Sequence, residues 1–305
     1  MAISSSSENI LMALSEAMAE AVARAGKSTV TVDARRRQPA SGIAYASDLI
    51  LTADHVVERD DNIQVIVPDG NPVGASIAGR DPGSDLALLR LSRPAASPAE
   101  TAPHEARIGQ IALAIGRPGP DDLQASLGVI SAIGGPVRTM RGGLIERYLA
   151  TDAIPYPGFS GGPLVDAGGR VLGINTSGLA RGTSIAIPAH LAWQVALALA
   201  QHGHISRGYL GIRSQPVELP TQAQTALNRQ QPTGLLLVSV EQNSPAARGG
   251  LMIGDILVGI AGSPVTDPDE LFGRLTGNVV GQPTAVEILR GGQPIIVTVT
   301  VGERK

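Results

Sequence analysis

The sequence predicts a mainly β protein, in which a barrel or sandwich of short strands is followed by a smaller module that mixes strands and helices. Two patterns support this. Between residues 28 and 188, short apolar runs are separated by turn residues, and few stretches have helical spacing. From residue 207 onward, strand and helix patterns alternate. With 305 residues, 43% apolar and 17% charged, the chain is long and apolar enough for two packed domains.

Composition excludes several function classes. A formal net charge of −3 gives no electrostatic case for binding nucleic acid or an anionic membrane. The absence of cysteine rules out disulfides, a thiolate nucleophile and cysteine metal sites. His202 and His204 are close in sequence but have no further ligand nearby, so helix-end solvation is favoured over metal binding. We predict no cofactor and no metal.

The first 27 residues predict an N-terminal helical extension. Apolar residues recur at helical spacing over residues 8–25, and Gly26 ends the pattern. Glu8, Glu16 and Glu20 interrupt the run, so no signal peptide is recognised, and no stretch reaches the roughly 18 apolar residues of a spanning helix. The expected compartment is therefore the cytoplasm for the chain as written, or the periplasm or another extracytoplasmic space if a leader has been removed.

Three polar residues stand at strand ends in the β-rich part. His55 lies three residues after the apolar run 48–52, and Asp85 immediately precedes the apolar run 86–91. Ser160 lies between glycines and precedes an apolar strand. Taken singly, each has an ordinary explanation: a structural histidine, a turn aspartate, and a serine in a Gly-rich turn.

The loop around Ser160 nevertheless suits nucleophilic chemistry. A serine needs a base to take its proton and donors to hold an oxyanion. Gly158 and the Gly161-Gly162 pair permit a sharp turn, in which the N–H groups of Gly158 and Ser160 are able to converge on one oxygen.

The remaining elements follow in order. Strands are predicted at 170–176 and 184–188, and a helix at 189–202. The C-terminal module reads as strand 209–213, helix 218–229, strand 234–241, short helix 245–251, strand 254–261, helix 267–276 and a hairpin of 285–290 and 294–301 around Gly291-Gly292.

Four motifs together resemble one family. They are Leu51-Thr52-x-x-His55-Val56-Val57, Asp81-Pro82-x-x-Asp85-Leu86-Ala87-x-Leu89, Thr151-Asp152-Ala153 with Pro157-Gly158-x-Ser160-Gly161-Gly162-Pro163-Leu164, and Ala186-Ile187-Pro188. In this order they resemble the trypsin-like serine proteases, and more narrowly the HtrA family of protease–PDZ proteins. The resemblance covers roughly residues 28–303. It implies a chymotrypsin-like protease domain of two six-stranded β-barrels at 28–203 and an α+β PDZ domain at 204–305.

The resemblance also implies roles. Ser160 would be the nucleophile, His55 the general base, and Asp85 the residue that orients the imidazole, with the oxyanion held by Gly158 and Ser160. Thr183, Ser184 and Ile185 would line a modest apolar specificity pocket. In the PDZ domain, Tyr209, Leu210, Gly211 and Ile212 would bind a peptide C-terminus, with Leu271 and Leu275 as apolar walls.

The function implied is an ATP-independent serine endoprotease of protein quality control that cleaves unfolded polypeptides and assembles as a homo-oligomer, a trimer by resemblance. Phe159 stands where the family usually has Asn, and its ring is expected to reshape the oxyanion loop or cover the pocket. The usual aromatic trimer contacts are represented only by Tyr45. The alternative is an inactive or latent protease fold that acts as a chaperone or peptide-binding scaffold. An esterase using the same three residues is less favoured, because a PDZ domain implies polypeptide ligands.

Overall fold

The computed structural model describes residues 5–36, 38–119, 122–138, 143–178, 185–205, 208–275 and 279–303. The chain separates into two compact units, Met1–Ile205 and Ser206–Lys305. The domain bounds 28–203 and 204–305 fall close to this division and remain a prediction. Among the described residues, no helix combines the length and the apolar character that crossing a membrane requires.

The first unit begins with helix α1, Ser5–Gly26, which includes the predicted span 8–25. Its second half packs on the unit through the buried side chains of Ala21 and Ala25. The Arg117 side chain donates to the carbonyl groups of Gly26 and Thr29, at 3.1 and 2.9 Å, and so joins the end of the helix to the strand that follows.

Six antiparallel strands then close into the first barrel, in the order β1-β2-β3-β6-β5-β4. The barrel forms because alternate apolar side chains, mostly Val, Ile, Leu and Ala, point from the strands to a common interior. The strands are β1 (Thr29–Asp33), β2 (Ala40–Ala46), β3 (Leu49–Ala53), β4 (Ile63–Ile66), β5 (Pro72–Asp81) and β6 (Leu86–Leu91). One turn of 3₁₀ helix, Asp54–Val56, follows β3.

The second barrel is also closed and antiparallel, in the order β11-β14-β13-β12-β7-β8. A two-stranded ribbon of β9 and β10 lies between β8 and β11 in the chain. The elements are β7 (Ile111–Gly116), β8 (Gln124–Gly134), β9 (Val137–Arg138), β10 (Leu144–Ile145), β11 (Tyr148–Thr151), β12 (Pro163–Val165), β13 (Val171–Thr176), β14 (Ile185–Pro188) and helix α2 (Ala189–His202). The mainly β, double-barrel architecture is therefore as predicted.

The second unit is a sheet in the order β16-β17-β18-β20-β21, with β19 paired to β18 and a separate β15–β22 pair. Its elements are β15 (Gly208–Tyr209), β16 (Ile212–Glu218), α3 (Thr221–Ala226), β17 (Thr233–Val240), α4 (Pro245–Arg248), β18 (Ile256–Ile260), β19 (Ser263–Pro264), α5 (Pro268–Arg274), β20 (Pro283–Arg290), β21 (Gln293–Thr300) and β22 (Gly302–Glu303).

The main departure from the sequence prediction is in β16 and α3. The strand extends to Glu218, where a helix over 218–229 was predicted, because residues 212–218 pair with β17 along their whole length. The helix begins only after Pro220, which is extended and has no N–H to donate. It ends before Asn228, whose backbone is left-handed with φ of 51°.

Candidate active site

Three elements from two barrels bring the predicted catalytic residues together. His55 lies in the 3₁₀ turn after β3, and Asp85 immediately precedes β6. Both therefore belong to the first barrel, where β3 and β6 are hydrogen-bonded neighbours. Ser160 lies in the loop between β11 and β12 of the second barrel.

Asp85 holds His55 at two points. The Asp85 Oδ2 atom lies 2.8 Å from His55 Nδ1, and Oδ1 accepts the His55 backbone N–H at 2.9 Å. The Asp85 side chain is 3% exposed and that of His55 is 21% exposed. Because a carboxylate only accepts, Nδ1 carries the proton, which leaves Nε2 as the proton acceptor of a neutral imidazole.

Thr176 and Gly178, which no sequence motif indicated, also hold Asp85 in place. The Thr176 hydroxyl donates to Asp85 Oδ2 and accepts the Gly178 N–H at 3.0 Å. Gly178 lies so close that a Cβ atom there would come within 2.4 Å of Asp85 Oδ2 and 2.9 Å of His55 Nδ1. Close packing therefore requires glycine at this position.

Ser160 and His55 are linked through a third residue, Ser177. The two serine Oγ atoms are 3.1 Å apart, and Ser177 Oγ lies 3.4 Å from His55 Nε2. Among the described residues, no hydrogen bond joins Ser160 to His55 directly. A long bond between nucleophile and base is common in the absence of substrate.

The loop before Ser160 carries the two N–H groups that are predicted to bind an oxyanion. Gly158 is left-handed, with φ of 91°, which disfavours any residue with a side chain. Within the described part of the chain, the N–H groups of Gly158 and Ser160 have no hydrogen-bond acceptor. The N–H of Phe159, by contrast, donates to the Tyr156 carbonyl at 3.0 Å. The two predicted oxyanion donors are thus unoccupied by protein acceptors.

Ser41 in β2 anchors this loop to the first barrel. Its hydroxyl donates to the Gly158 carbonyl at 2.6 Å and accepts the Arg117 N–H at 2.8 Å, and its own N–H donates to the Ser160 carbonyl at 3.3 Å. The Ser41 side chain is fully buried. Because one residue holds the carbonyl groups on both sides of Phe159, it fixes the path of the loop relative to His55.

In the second unit, the predicted peptide site lies at a sheet edge. β16 is the last strand of its sheet and pairs only with β17 among the described strands, so its other edge is open to a further strand. In the described residues, the N–H groups of Leu210 and Gly211 have no acceptor. The side chains of Leu210, Leu271 and Leu275 are 2%, 7% and 7% exposed and pack in the core of this unit.

Comparison with known proteins assigns each of the two units to a known domain family. A family model described as a trypsin-like peptidase domain matches residues 40–174, and one described as a PDZ domain matches residues 208–301. The solved structure of the HtrA-type protease AlgW with tripeptide is 31% identical, with a TM-score of 0.78 over 94% of this chain and 97% of that chain. The serine endoprotease from Yersinia pestis is 30% identical, with a TM-score of 0.79 over 94% and 98%. The chain belongs to the HtrA family of trypsin-like serine proteases.

Curated relatives give the same family. Probable periplasmic serine endoproteases described as DegP-like are 36% identical over 278 residues in Halomonas elongata and 34% identical over 269 residues in Pseudomonas putida. These alignments cover 88% and 86% of this chain but 57% and 55% of the relatives, so the chain spans little more than half their length. Because the relatives are named periplasmic, the expectation of a cytoplasmic location has no support from them.

Phe159 departs from the HtrA pattern, and of its two expected effects the covering of the pocket was wrong, whereas a reshaped oxyanion loop stays a prediction. Its ring is fully buried in the second barrel and contacts Tyr156 edge-on, with the ring centroids 5.5 Å apart. Gly116 in β7 makes the room, because a Cβ there would lie 2.3 Å from the ring. The ring therefore does not cover the substrate pocket, and the scaffold alternative loses the observation that motivated it.

The predicted specificity pocket is only partly described. Thr183 and Ser184 lie outside the described residues. Ile185 begins β14, is 6% exposed and packs in the core shared with Leu51 and Leu86. Its role in substrate selection stays a prediction.

Proposed function

We propose that this chain is an ATP-independent serine endoprotease that cleaves unfolded or exposed polypeptides through an acyl-enzyme. The observation that carries the proposal is the buried Asp85 carboxylate bound to His55 Nδ1 at 2.8 Å, which leaves His55 Nε2 as the base in a site that also contains the Ser160 hydroxyl. Membership of the HtrA family, whose curated relatives are serine endoproteases, supports the same reaction.

The proposed reaction uses these residues in sequence. Ser160 Oγ forms a bond to the carbonyl carbon of the substrate while its proton passes to His55 Nε2, and the carbonyl oxygen gains the negative charge. The N–H groups of Gly158 and Ser160 would bind that oxygen, where one such donor is worth about 10²–10³ in rate. Asp85 keeps the imidazole in the required tautomer and stabilises its charged form. His55 then gives this proton to the amine nitrogen as the C–N bond breaks and the carbonyl of the acyl-enzyme re-forms. Water then attacks that carbonyl while His55 takes its proton, and the Ser160–acyl bond breaks as His55 returns the proton to Ser160 Oγ.

The second unit is proposed to bind the C-terminus of a polypeptide. Leu210 and Gly211 N–H groups would hold the terminal carboxylate, while the peptide pairs with the open edge of β16 as an added strand. We further propose a periplasmic location, because the curated relatives are named periplasmic proteases. We also propose that the chain assembles as a homo-oligomer, because it belongs to the HtrA family.

Cleavage of an unfolded, casein-like substrate tests the protease proposal. We expect Ser160→Ala to abolish both cleavage and labelling by a fluorophosphonate probe. Ser76→Ala is the matched control, because Ser76 is exposed on β5 and its partner in the neighbouring strand is Arg90, which is not a catalytic residue. Cleavage by Ser160→Ala at the wild-type rate would refute the proposal.

Peptide binding to the second unit is measured separately. A fluorescent peptide with a free C-terminal carboxylate should bind the Ser160→Ala protein at least about tenfold more tightly than its amidated form, since hydrogen bonds to a charged group contribute about 1.5–3 kcal/mol. Equal affinity for the two peptides would contradict the assignment of Leu210 and Gly211.

A further inference from the structure

A third hydroxyl lies in the catalytic site. Ser177 directly follows β13 and Thr176, the residue that donates to Asp85. Its side chain is exposed, and its Oγ is in contact with both reacting groups, at 3.1 Å from Ser160 Oγ and 3.4 Å from His55 Nε2. Neither the sequence motifs nor the proposed mechanism assigns it a role.

The contacts of Ser177 compete with the bond that catalysis needs. General-base catalysis by His55 needs the Ser160 hydroxyl to donate to Nε2, either directly at about 2.6–3.2 Å or through one water. In this structure the Ser160 hydroxyl bonds Ser177, and the Nε2 lone pair faces the same Ser177 hydroxyl. A hydroxyl is far too weak a base to take the proton of another hydroxyl at neutral pH. Ser160 is therefore not activated while this arrangement persists.

We propose that Ser177 is a positioning residue that restrains the nucleophile: its hydroxyl holds Ser160 away from His55 and thereby slows acylation until the bond breaks. This inference rests on the proposed protease function and adds a determinant of its rate. We expect the restraint to be weak, because the distances from Ser177 Oγ to Ser160 Oγ and to His55 Nε2, 3.1 and 3.4 Å, are long for hydrogen bonds of a hydroxyl group. Ser177 thus retards the reaction without blocking it.

The geometry disfavours the opposite role, a relay in which the Ser160 proton passes to Ser177 while the Ser177 proton passes to His55. A relay needs two short bonds at once, and the link to His55 Nε2 is 3.4 Å, the longer of the two. If Ser177 were a relay, its removal would slow acylation. If Ser177 is a restraint, its removal speeds acylation.

The rate of reaction with a fluorophosphonate probe distinguishes a restraining role of Ser177 from a relay role. In that reaction Ser160 Oγ forms a bond to phosphorus, the P–F bond breaks, fluoride leaves, and His55 Nε2 takes the hydroxyl proton. Loss of one neutral hydrogen bond of ~1 kcal/mol corresponds to a change in the reaction rate of about fivefold. We therefore expect Ser177→Ala to raise the maximal inactivation rate constant about fivefold, with the half-saturating probe concentration unchanged.

Ser177→Thr is the conservative control, because it keeps the hydroxyl at an exposed position. It should label at the wild-type rate, whereas a general loosening of the site would change both variants and the half-saturating concentration. Labelling by Ser177→Ala that is equal to or slower than wild type overturns the inference. If neither wild type nor Ser177→Ala labels, the protease function itself fails, and the inference fails with it.

Discussion

Replacing Gly178 by alanine tests whether the catalytic pair is held by packing. A Cβ at this position would lie 2.4 Å from Asp85 Oδ2, and an ordinary contact begins at 3.4 Å, so the carboxylate or the chain at 178 must move by about 1 Å. No positive φ is present at Gly178, so alanine introduces a steric clash and no backbone strain.

The size of the effect follows from what holds Asp85. Its two oxygens accept bonds from the His55 backbone, the His55 ring and the Thr176 hydroxyl, so a shift of Asp85 displaces the imidazole. A misplacement of about 1 Å in a catalytic group costs about 10²-fold in rate. We expect Gly178→Ala to lower kcat/KM on an unfolded substrate by about that factor.

The assay compares cleavage, probe labelling and thermal unfolding of the full chain. Gly74→Ala is the matched control, because a Cβ at Gly74 has its nearest contact at 3.9 Å, to Ser92 Oγ, and Gly74 likewise has no positive φ. The control should retain activity. Activity of Gly178→Ala within threefold of wild type would show that the Asp85–His55 geometry does not depend on glycine at 178.

Three further variants probe other contacts. Ser41→Ala removes the donor to the Gly158 carbonyl at 2.6 Å and should slow probe labelling about tenfold in a folded protein; unchanged labelling would contradict its anchoring role. Phe159→Ala leaves a cavity at a fully buried site and should lower the free energy of unfolding in urea by about 3–5 kcal/mol; a loss under 1 kcal/mol would show that the barrel refills. Burial raises the pKa of Asp255, but the hydrogen bonds from Arg290 and from the Met252 N–H, together with the charge of Arg290, lower that pKa more, so the net shift is downward. Its contribution to stability is therefore present at neutral pH and lost as the pH falls below the ordinary value of 3.8. Asp255→Asn should lower Tm at pH 7, with the difference from wild type shrinking in acid, and a difference independent of pH would refute the linkage.

Much of the architecture followed from local sequence pattern. Short apolar runs with turn residues predicted the β-rich first unit, and the alternation of strands and helices predicted the second. The error at β16 arose because a polar stretch containing Pro216 reads as the approach to a helix, whereas its pairing with β17 is a long-range contact. Strand length in such a segment is decided by the neighbouring strand, which local spacing does not reveal.

The residues of the catalytic site also fall into two groups, those found from sequence motifs and those found only in the folded structure. The motifs identified His55, Asp85 and Ser160 as candidates, because each of these residues stands in a short run of adjacent matching residues. Only the tertiary structure assigned Thr176 and Ser177, which contact partners 91 and 122 residues away along the chain. It also decided that Phe159 is a core residue, since its space comes from the missing side chain of Gly116. Motifs record which residues are neighbours along the chain, whereas bonds and free volume arise only when the closed barrels bring distant strands together.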